Sequence, residues 1–265
     1  MSAGSSTASR PMRILVSNDD GIDAPGIWAL AQELKKIGSV TVVAPDKQQS
    51  AVGHAITMNY PLRAVPFRKN NEFFGYAVEG TPADAVKLGV KFLLKEPPDM
   101  VVSGINHGSN TAINIIYSGT VSAATEGMIL GIPSIAVSLT TYDDADFSYA
   151  ARFAARLSQL VAQKGLPDGT LLNVNVPAVS EDQIRGIALT TQGNSKWDDT
   201  FDVRRDPANR EYFWLTGKMM VTDTDPNSDQ IAIQNNFVSV TPIRYDLTDA
   251  GMLAMMRSWD VGKLK

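Results

Sequence analysis

The sequence predicts an α/β protein: a doubly wound, mostly parallel sheet with helices on both faces, followed by a C-terminal β-hairpin and helix extension. Three observations predict it. Short apolar runs rich in Val and Ile alternate with longer runs of helical spacing. The first such unit, residues 13–44, is strand–helix–strand, which calls for a right-handed crossover and a parallel strand pair. The composition is that of an ordinary globular chain, with 265 residues, 44% hydrophobic and 20% charged. That length is enough for one large core.

The elements follow in order. Residues 13–17 read as a first strand buried on both faces. A helix follows, with Asp23 or Ala24 as N-cap and Pro25 in its first turn, because proline has no N–H to lose there. Ile27, Leu30, Ala31, Leu34 and Ile37 recur at helical spacing, and Gly38 is the expected C-cap. Val40 to Ala44 is the second strand. Residues 84–94 read as a helix, Met100 to Ser103 as a strand, and 104–110 as a Gly- and Asn-rich loop. A helix over 120–130, a strand at Ser134 to Leu139, a helix over 147–163 and a strand at Leu171 to Val176 complete the Rossmann-like alternation. Beyond residue 190 the chain turns polar, with a hairpin expected within 191–235, a short strand at Val238 to Pro242 and a last helix over 247–257. The expected organisation is a disordered tail (1–12), an α/β catalytic core (13–190) and an extension (191–265) that serves as an oligomerisation arm.

Composition narrows the function. The formal net charge is −4, which argues against binding to nucleic-acid polymers or anionic membrane surfaces. There is no cysteine, so disulfides, thiolate nucleophiles and Cys-held zinc are excluded. The cytoplasm is the expected location. With only two histidines, His54 and His107, any metal would be held mainly by oxygen. The opening MSAGSSTASRPM lacks the apolar core of a signal peptide, and no apolar run reaches the roughly 18–20 residues of a membrane span.

In a doubly wound sheet, ligands bind outside the carboxyl ends of the strands. After the first strand come Asn18, Asp19, Asp20 and Gly21. After the second come Asp46 and the polar run Lys47 to Ser50, and after the strand at 100 come Asn106, His107 and Asn110. Carboxylates, a hydroxyl and side-chain amides on one rim form a hard oxygen set that suits Mg²⁺, Mn²⁺ or Ca²⁺. Ser118, Gly119 and Thr120 open the helix at 120–130, and free N–H groups with small hydroxyl side chains make an anion site. A cation site beside an anion site points to a phosphate ester. Each feature also has a plain structural reading. Asp-Asp-Gly serves as a turn, Ser118 as an ordinary N-cap, and residues 106–110 as a glycine-rich turn. His54 reads as a structural histidine, His107 as solvent-facing or in support of the site, and the aromatic residues of 197–214 as hairpin packing. A non-catalytic nucleotide- or metal-binding module is the alternative class.

The motifs SNDDGIDAPGI, VVAPDKQQSAVGHAIT, VEGTPADAVKLG, VVSGINHGSN and YSGTVSAATEG, in this order, resemble the SurE family of stationary-phase survival proteins, which are metal-dependent 5′/3′-nucleotidases. RRDPANREYFWLTG and DQIAIQNNFVSVTPI resemble its C-terminal region, so the likeness covers about residues 13–245. The resemblance implies one divalent metal ion per subunit, Mg²⁺ or Mn²⁺, with Ca²⁺ able to occupy the site. Asp19, Asp20, Ser50 and Asn106 would be its ligands, with Asp19 and Asp20 catalytic. Asn18 and Asn110 would lie beside the substrate, and Ser118, Gly119 and Thr120 would bind its phosphate. It implies a nucleoside monophosphate substrate, with short polyphosphate as a further one. It also implies a homodimer or homotetramer whose subunits exchange C-terminal elements. One departure is Asn236, near which family members commonly carry glycine.

Overall fold

The computed structural model describes residues 10–143 and 145–264. Nine strands form one twisted sheet in the order β3-β4-β2-β1-β5-β6-β7-β11-β8. The six from β4 to β7 are all parallel: β4 (Glu72–Val78), β2 (Gly38–Pro45), β1 (Met12–Ser17), β5 (Met100–His107), β6 (Ser134–Leu139) and β7 (Leu171–Val176). β3 (Ala64–Lys69) pairs antiparallel with β4 at one edge. At the other, β11 (Phe237–Ile243) runs antiparallel to β7 and carries β8 (Gly186–Leu189).

Apolar residues of the parallel strands face both ways, and each face is covered. Helices α1 (Pro25–Leu34) and α5 (Ser148–Lys164) close one side, through Ile27, Leu30, Leu34, Ala151 and Ala154 against Ile14, Val16, Val102 and Val137. Helices α2 (Pro82–Leu88) and α4 (Gly119–Ile129) close the other, through Ala85, Val86 and Ala123 against Leu15, Val43 and Val101. This two-sided cover is why the strands read as unbroken apolar runs rather than alternating ones. The chain winds from β1 outwards through β2 to β4, then returns to start β5 on the other flank of β1. The order of connection therefore reverses between β1 and β5, and the crevice at such a reversal is where this architecture leaves room for a ligand.

The expected strands and helices are present with shifted ends. Gly38 does not cap α1, whose C-cap is Lys35; it is the first residue of β2, opposite Met12. A Cβ there would lie 2.3 Å from the Met12 carbonyl oxygen, so the close approach requires glycine. The helix expected over 84–94 is α2 followed by a wider turn at Gly89–Leu93. β5 does not stop at Ser103: a bulge between Ser103 and Asn106 lets it pair again with β6, Asn106 opposite Ser138. The β3–β4 hairpin was not expected, although its turn carries Asn70 and Asn71, both at positive φ, a signature of a type I′ connection. Helices α3 (Asn114–Tyr117) and α6 (Asp229–Gln234), and strand β8, were also unread.

The expected boundary at residue 190 is crossed by the sheet. Within 191–265, β11 and α6 belong to the core, while the hairpin of β9 (Lys196–Arg205) and β10 (Glu211–Met220) and helix α7 (Ala250–Met256) stand off it. Asn236, between α6 and β11, has φ +60°, the left-handed conformation that glycine or asparagine adopts most readily. Of the tail expected over 1–12, residues 1–9 lie outside the described residues. Met12 already begins β1, and Arg10 grips Asp99 through two hydrogen bonds of 2.6 Å.

Asp99 also accepts the Arg13 backbone N–H at 2.8 Å, and these partners hold its pKa down to about 2, the Arg10 hydrogen bonds foremost. A carboxyl with a depressed pKa stabilises the fold above its unfolded value and loses that contribution as pH falls through the folded one. Because the pair is solvent-accessible, that contribution is small. Urea unfolding of Asp99→Asn is expected to show that deficit at pH 7, narrowing below pH ~4 and closing towards pH 2.

Candidate active site

The turn after β1 is closed by Asn18, whose side-chain amide donates to the Gly21 carbonyl at 2.9 Å, with Gly21 at φ +97°. Asn18 is fully buried and supports the turn from beneath rather than lining the cleft. Its Oδ1 is buried without a partner. The turn presents two carboxylates. Asp20 accepts the His107 backbone N–H at 3.1 Å. Asp19 is 4% exposed and faces a cleft of about 180 Å³. Burial, and to a lesser degree the neighbouring Asp20, push the Asp19 pKa up to about 6, against the lowering effect of the Thr120 hydroxyl. Burial also raises that of Asp20.

The hydroxyl of Thr120 donates to Asp19 Oδ1 in a short bond. Thr120 is fully buried, so its side chain reaches Asp19 and not the cleft. In this arrangement the hydroxyl orients a carboxylate. Gly119 packs directly on that carboxylate, and a Cβ there would lie 2.6 Å from Asp19 Cβ. Ser118 caps α4, its Oγ accepting the Val121 N–H at 3.0 Å, and it lines the cleft. The first-turn N–H groups of Gly119 and Thr120 have no partner within the helix. Three small residues, Ser118, Gly119 and Thr120, therefore bring a helix N-terminus onto a buried aspartate.

The loop after β2 brings Ser50 to the same cleft. Its path is pinned at several points. The Gln49 N–H bonds the Asp19 carbonyl at 2.7 Å, and the Gly53 N–H bonds the Tyr117 carbonyl at 3.0 Å. Further along, His54 meets the buried carboxylate of Glu126 at 3.0 Å, with Lys87 on its other oxygen at 2.8 Å. The Asp84 carboxylate accepts both the N–H and the hydroxyl of Thr57, at 2.9 and 2.6 Å. His54 is thus a structural histidine, as expected.

The β5 bulge turns Asn106 into the cleft. Its amide nitrogen is spent on the Gly108 carbonyl at 2.8 Å, which leaves the side-chain oxygen as the free end. His107 is not solvent-facing: its ring packs on Phe147 with centroids 5.1 Å apart. Asn110 lines the cleft from a bracket of buried amides. Its backbone N–H donates to Asn175 Oδ1 at 2.7 Å, its carbonyl accepts from Asn173 and Asn175, and its own amide donates to Ser138 Oγ at 2.8 Å. Two asparagines in the apolar strand LLNVNV were the signal for that bracket.

The structure therefore gathers Asp19, Ser50, Asn106, Asn110 and Ser118 around one cleft, with Asp20, Gly119 and Thr120 directly behind. It adds residues that sequence reasoning missed: Asn114 and Tyr117 of α3, Tyr142, and Trp197 from the base of the hairpin. Among the described residues, no three His, Asp or Glu side chains gather as a metal cluster, and Asp19 has no basic partner. Two adjacent carboxylates without a paired cation, and neutral oxygens from Ser50 and Asn106, fit a hard divalent cation.

Comparison with known proteins agrees with this geometry. A family model described as survival protein SurE matches residues 14–199. A 5′-nucleotidase SurE of Chlorobium luteolum is 48% identical over 254 residues, 96% of this chain and 98% of that protein. One of Syntrophobacter fumaroxidans is 50% identical over 250 residues, covering 94% and 100%. The crystal structure of a SurE protein from Aquifex aeolicus superposes with a TM-score of 0.80 at 40% identity, covering 92% of this chain and 98% of that one. With matches of this length and identity, on a cleft built from the same motifs, the chain belongs to the SurE family.

Proposed function

We propose that the protein is a divalent-metal-dependent phosphomonoesterase that hydrolyses nucleoside monophosphates, chiefly 5′-nucleotides. The observation that carries this reading is the Thr120–Asp19 contact, which sets carboxylates and a helix N-terminus side by side. A site meant only for an anion gains nothing from two aspartates. A site that must hold a cation against a phosphate needs both signs.

Asp19, Asp20, Ser50 and the Asn106 oxygen would hold the ion, Mg²⁺ or Mn²⁺ by their hardness, with Ca²⁺ as a further occupant. When bound, the ion neutralises the carboxylates and supplies Lewis acidity to the phosphoryl group. The chain's own groups do the positioning. The α4 N-terminus and the Ser118 hydroxyl would face the phosphoryl group, where preorganised donors count most as charge develops. Thr120 fixes the rotamer of Asp19. Glu126 acts at a distance: paired with Lys87 of α2, it anchors His54 on the loop that presents Ser50. Asn110, locked by Asn173 and Asn175, offers a rigid polar contact to the substrate. The enzyme's expected compartment is the cytoplasm, where an absence of cysteine is unremarked by redox chemistry. No described helix is long and apolar enough to cross a membrane.

The hairpin supports an oligomer. In the register Phe201 opposite Leu215 and Val203 opposite Phe213, opposed residues share a face. Trp197, Phe201, Val203, Phe213, Leu215 and Met219 share one face, while the other mixes Asp198, Thr200, Asp202 and Arg204 with Tyr212, Trp214 and Met220. Phe201, Phe213 and Leu215 are each at least 60% exposed, and an isolated two-stranded ribbon is marginal in water. Helix α7 adds exposed Leu253 and Met255. A second copy of the chain, in a dimer or a tetramer, is the simplest cover for surfaces of this kind.

Three outcomes are expected. Phosphate release from AMP with Mg²⁺ or Mn²⁺ should vanish with EDTA, and Asp19→Asn or Asp20→Asn should nearly abolish it while circular dichroism stays native; near-normal turnover at saturating metal would reject the ligand assignment. Thr120→Val keeps the branched shape but frees Asp19, and kcat should fall by about ten- to a hundredfold, the equivalent of a charge-assisted hydrogen bond of about 1.5–3 kcal/mol. Light scattering at micromolar concentration should report an oligomer, and Phe201→Lys with Phe213→Lys should dissociate it; a monomeric wild type would reject the oligomer. Truncation at residue 190 is unsuitable as a test, because it would remove β11 from the core sheet.

A further inference from the structure

The cleft has an aromatic lining that the chemistry of phosphate release does not use. Tyr117, Tyr142 and Trp197 all border it together with Asp19 and Ser118. The three rings differ in how they are held. Tyr142 is 76% exposed and Tyr117 53%, whereas Trp197 is 39% exposed. The indole Nε1–H of Trp197 donates to Asn114 Oδ1 at 2.7 Å, so the ring is tied to α3. A large ring fixed before a ligand arrives loses little entropy when something stacks on it.

Trp197 is also at a useful place. Its partner Asn114 begins α3, and the Asn114 carbonyl accepts the N–H of Ser118 at the phosphate end of the cleft. The two are one helical turn apart, about 5.4 Å along an α-helix axis, which is of the order of a ribose. Loop 108 is shaped for the same region. A Cβ on Gly108, at φ +101°, would lie 2.5 Å from the Tyr142 ring, so glycine there lets Tyr142 lie against the backbone.

Resting on the phosphomonoesterase reading above, we propose that Trp197 is the platform on which the substrate's nucleobase stacks, and that it makes the enzyme prefer nucleotides over base-free sugar phosphates. Stacking is tolerant of base identity because every base has a π-face. The platform therefore selects for the presence of a base and discriminates weakly between bases. It also comes from the hairpin, so a segment outside the sheet contributes to the substrate's contact surface.

The test compares AMP with ribose 5-phosphate, the same sugar phosphate without a base, in wild type, Trp197→Leu and Trp197→Phe. For Trp197→Leu, kcat/KM on AMP should fall by roughly five- to a hundredfold, the range of base–aromatic stacking, mostly through KM. The value on ribose 5-phosphate should change less than twofold. Trp197→Phe, which loses the indole N–H but keeps a ring, should recover most of the AMP activity. An equal fall on both substrates would overturn the proposal, since Trp197 would then only brace α3. No fall on either would overturn it as well. Calorimetric binding of AMP and ribose 5-phosphate in Mg²⁺ separates the two levels of inference. A wild type that binds AMP no tighter than ribose 5-phosphate overturns the platform. A wild type that binds AMP through Trp197 yet releases no phosphate keeps the platform and rejects the phosphatase.

Discussion

The site depends on the approach of the α4 N-terminus to the Asp19 carboxylate. Two like charges at the end of a strand, one of them almost fully buried, are unfavourable without compensation. Here the compensation comes in two parts. A hydroxyl from Thr120 binds Asp19 directly, and the small Gly119 lets the positive end of a helix dipole come within contact of it. Neither part brings a full positive charge to the pair, and Asp19 has no basic partner among the described residues. The residual negative charge is what a divalent cation would meet, and the rest of the rim is arranged around that shortage.

That arrangement explains which parts of the site could be read from the chain and which could not. Residues immediately after a buried strand are legible, because the sheet dictates that they share one rim. Asp19, Asp20, Asn106 and Asn110 fall in this class. Ser118 and Thr120 were legible as a group, being small residues at a helix start, but their separate duties were not. One lines the cleft and the other turns to Asp19, and only the rotation of α4 against β1 decides which. Trp197 and Asn114 could not be paired from sequence at all, since 83 residues separate them and no periodicity links them.

The fold divides in the same way. The parallel strands and their covering helices were legible, because two-sided burial leaves unbroken apolar runs flanked by helical spacing. Edge elements were not. β3 and β8 are partly exposed and short, so their apolar pattern is weak. β11 was recognised as a strand but assigned to an outlying extension, because its partner β7 ends some 60 residues earlier and a hairpin outside the main sheet intervenes. Position in the chain suggested an appendage, whereas Val238 and Val240, both buried, belong to the main core.

This return of the chain to the sheet has a consequence for the rim. Helix α6 enters the core just before β11, and Asp229 at its start accepts the N–H groups of Ala112 and Gly193, both at 3.0 Å. Gln192 donates to the Ala112 carbonyl at 2.9 Å, and Gln230 accepts the Thr111 hydroxyl at 2.6 Å. Ala112 is fully buried at φ +49°, a left-handed conformation that costs a residue with a Cβ about 1–2 kcal/mol. A local turn would not hold it there unaided. The bonds from Asp229 of α6 and from Gln192, ahead of β9, do, and Ala112 lies between Asn110 and Asn114, both on the cleft. The segment that carries the apolar hairpin is therefore the segment that braces the rim. Hydrogen bonds within one chain, Gly193 to Asp229, Asp229 to Ala112 and Trp197 to Asn114, thus tie the base of the hairpin to the rim.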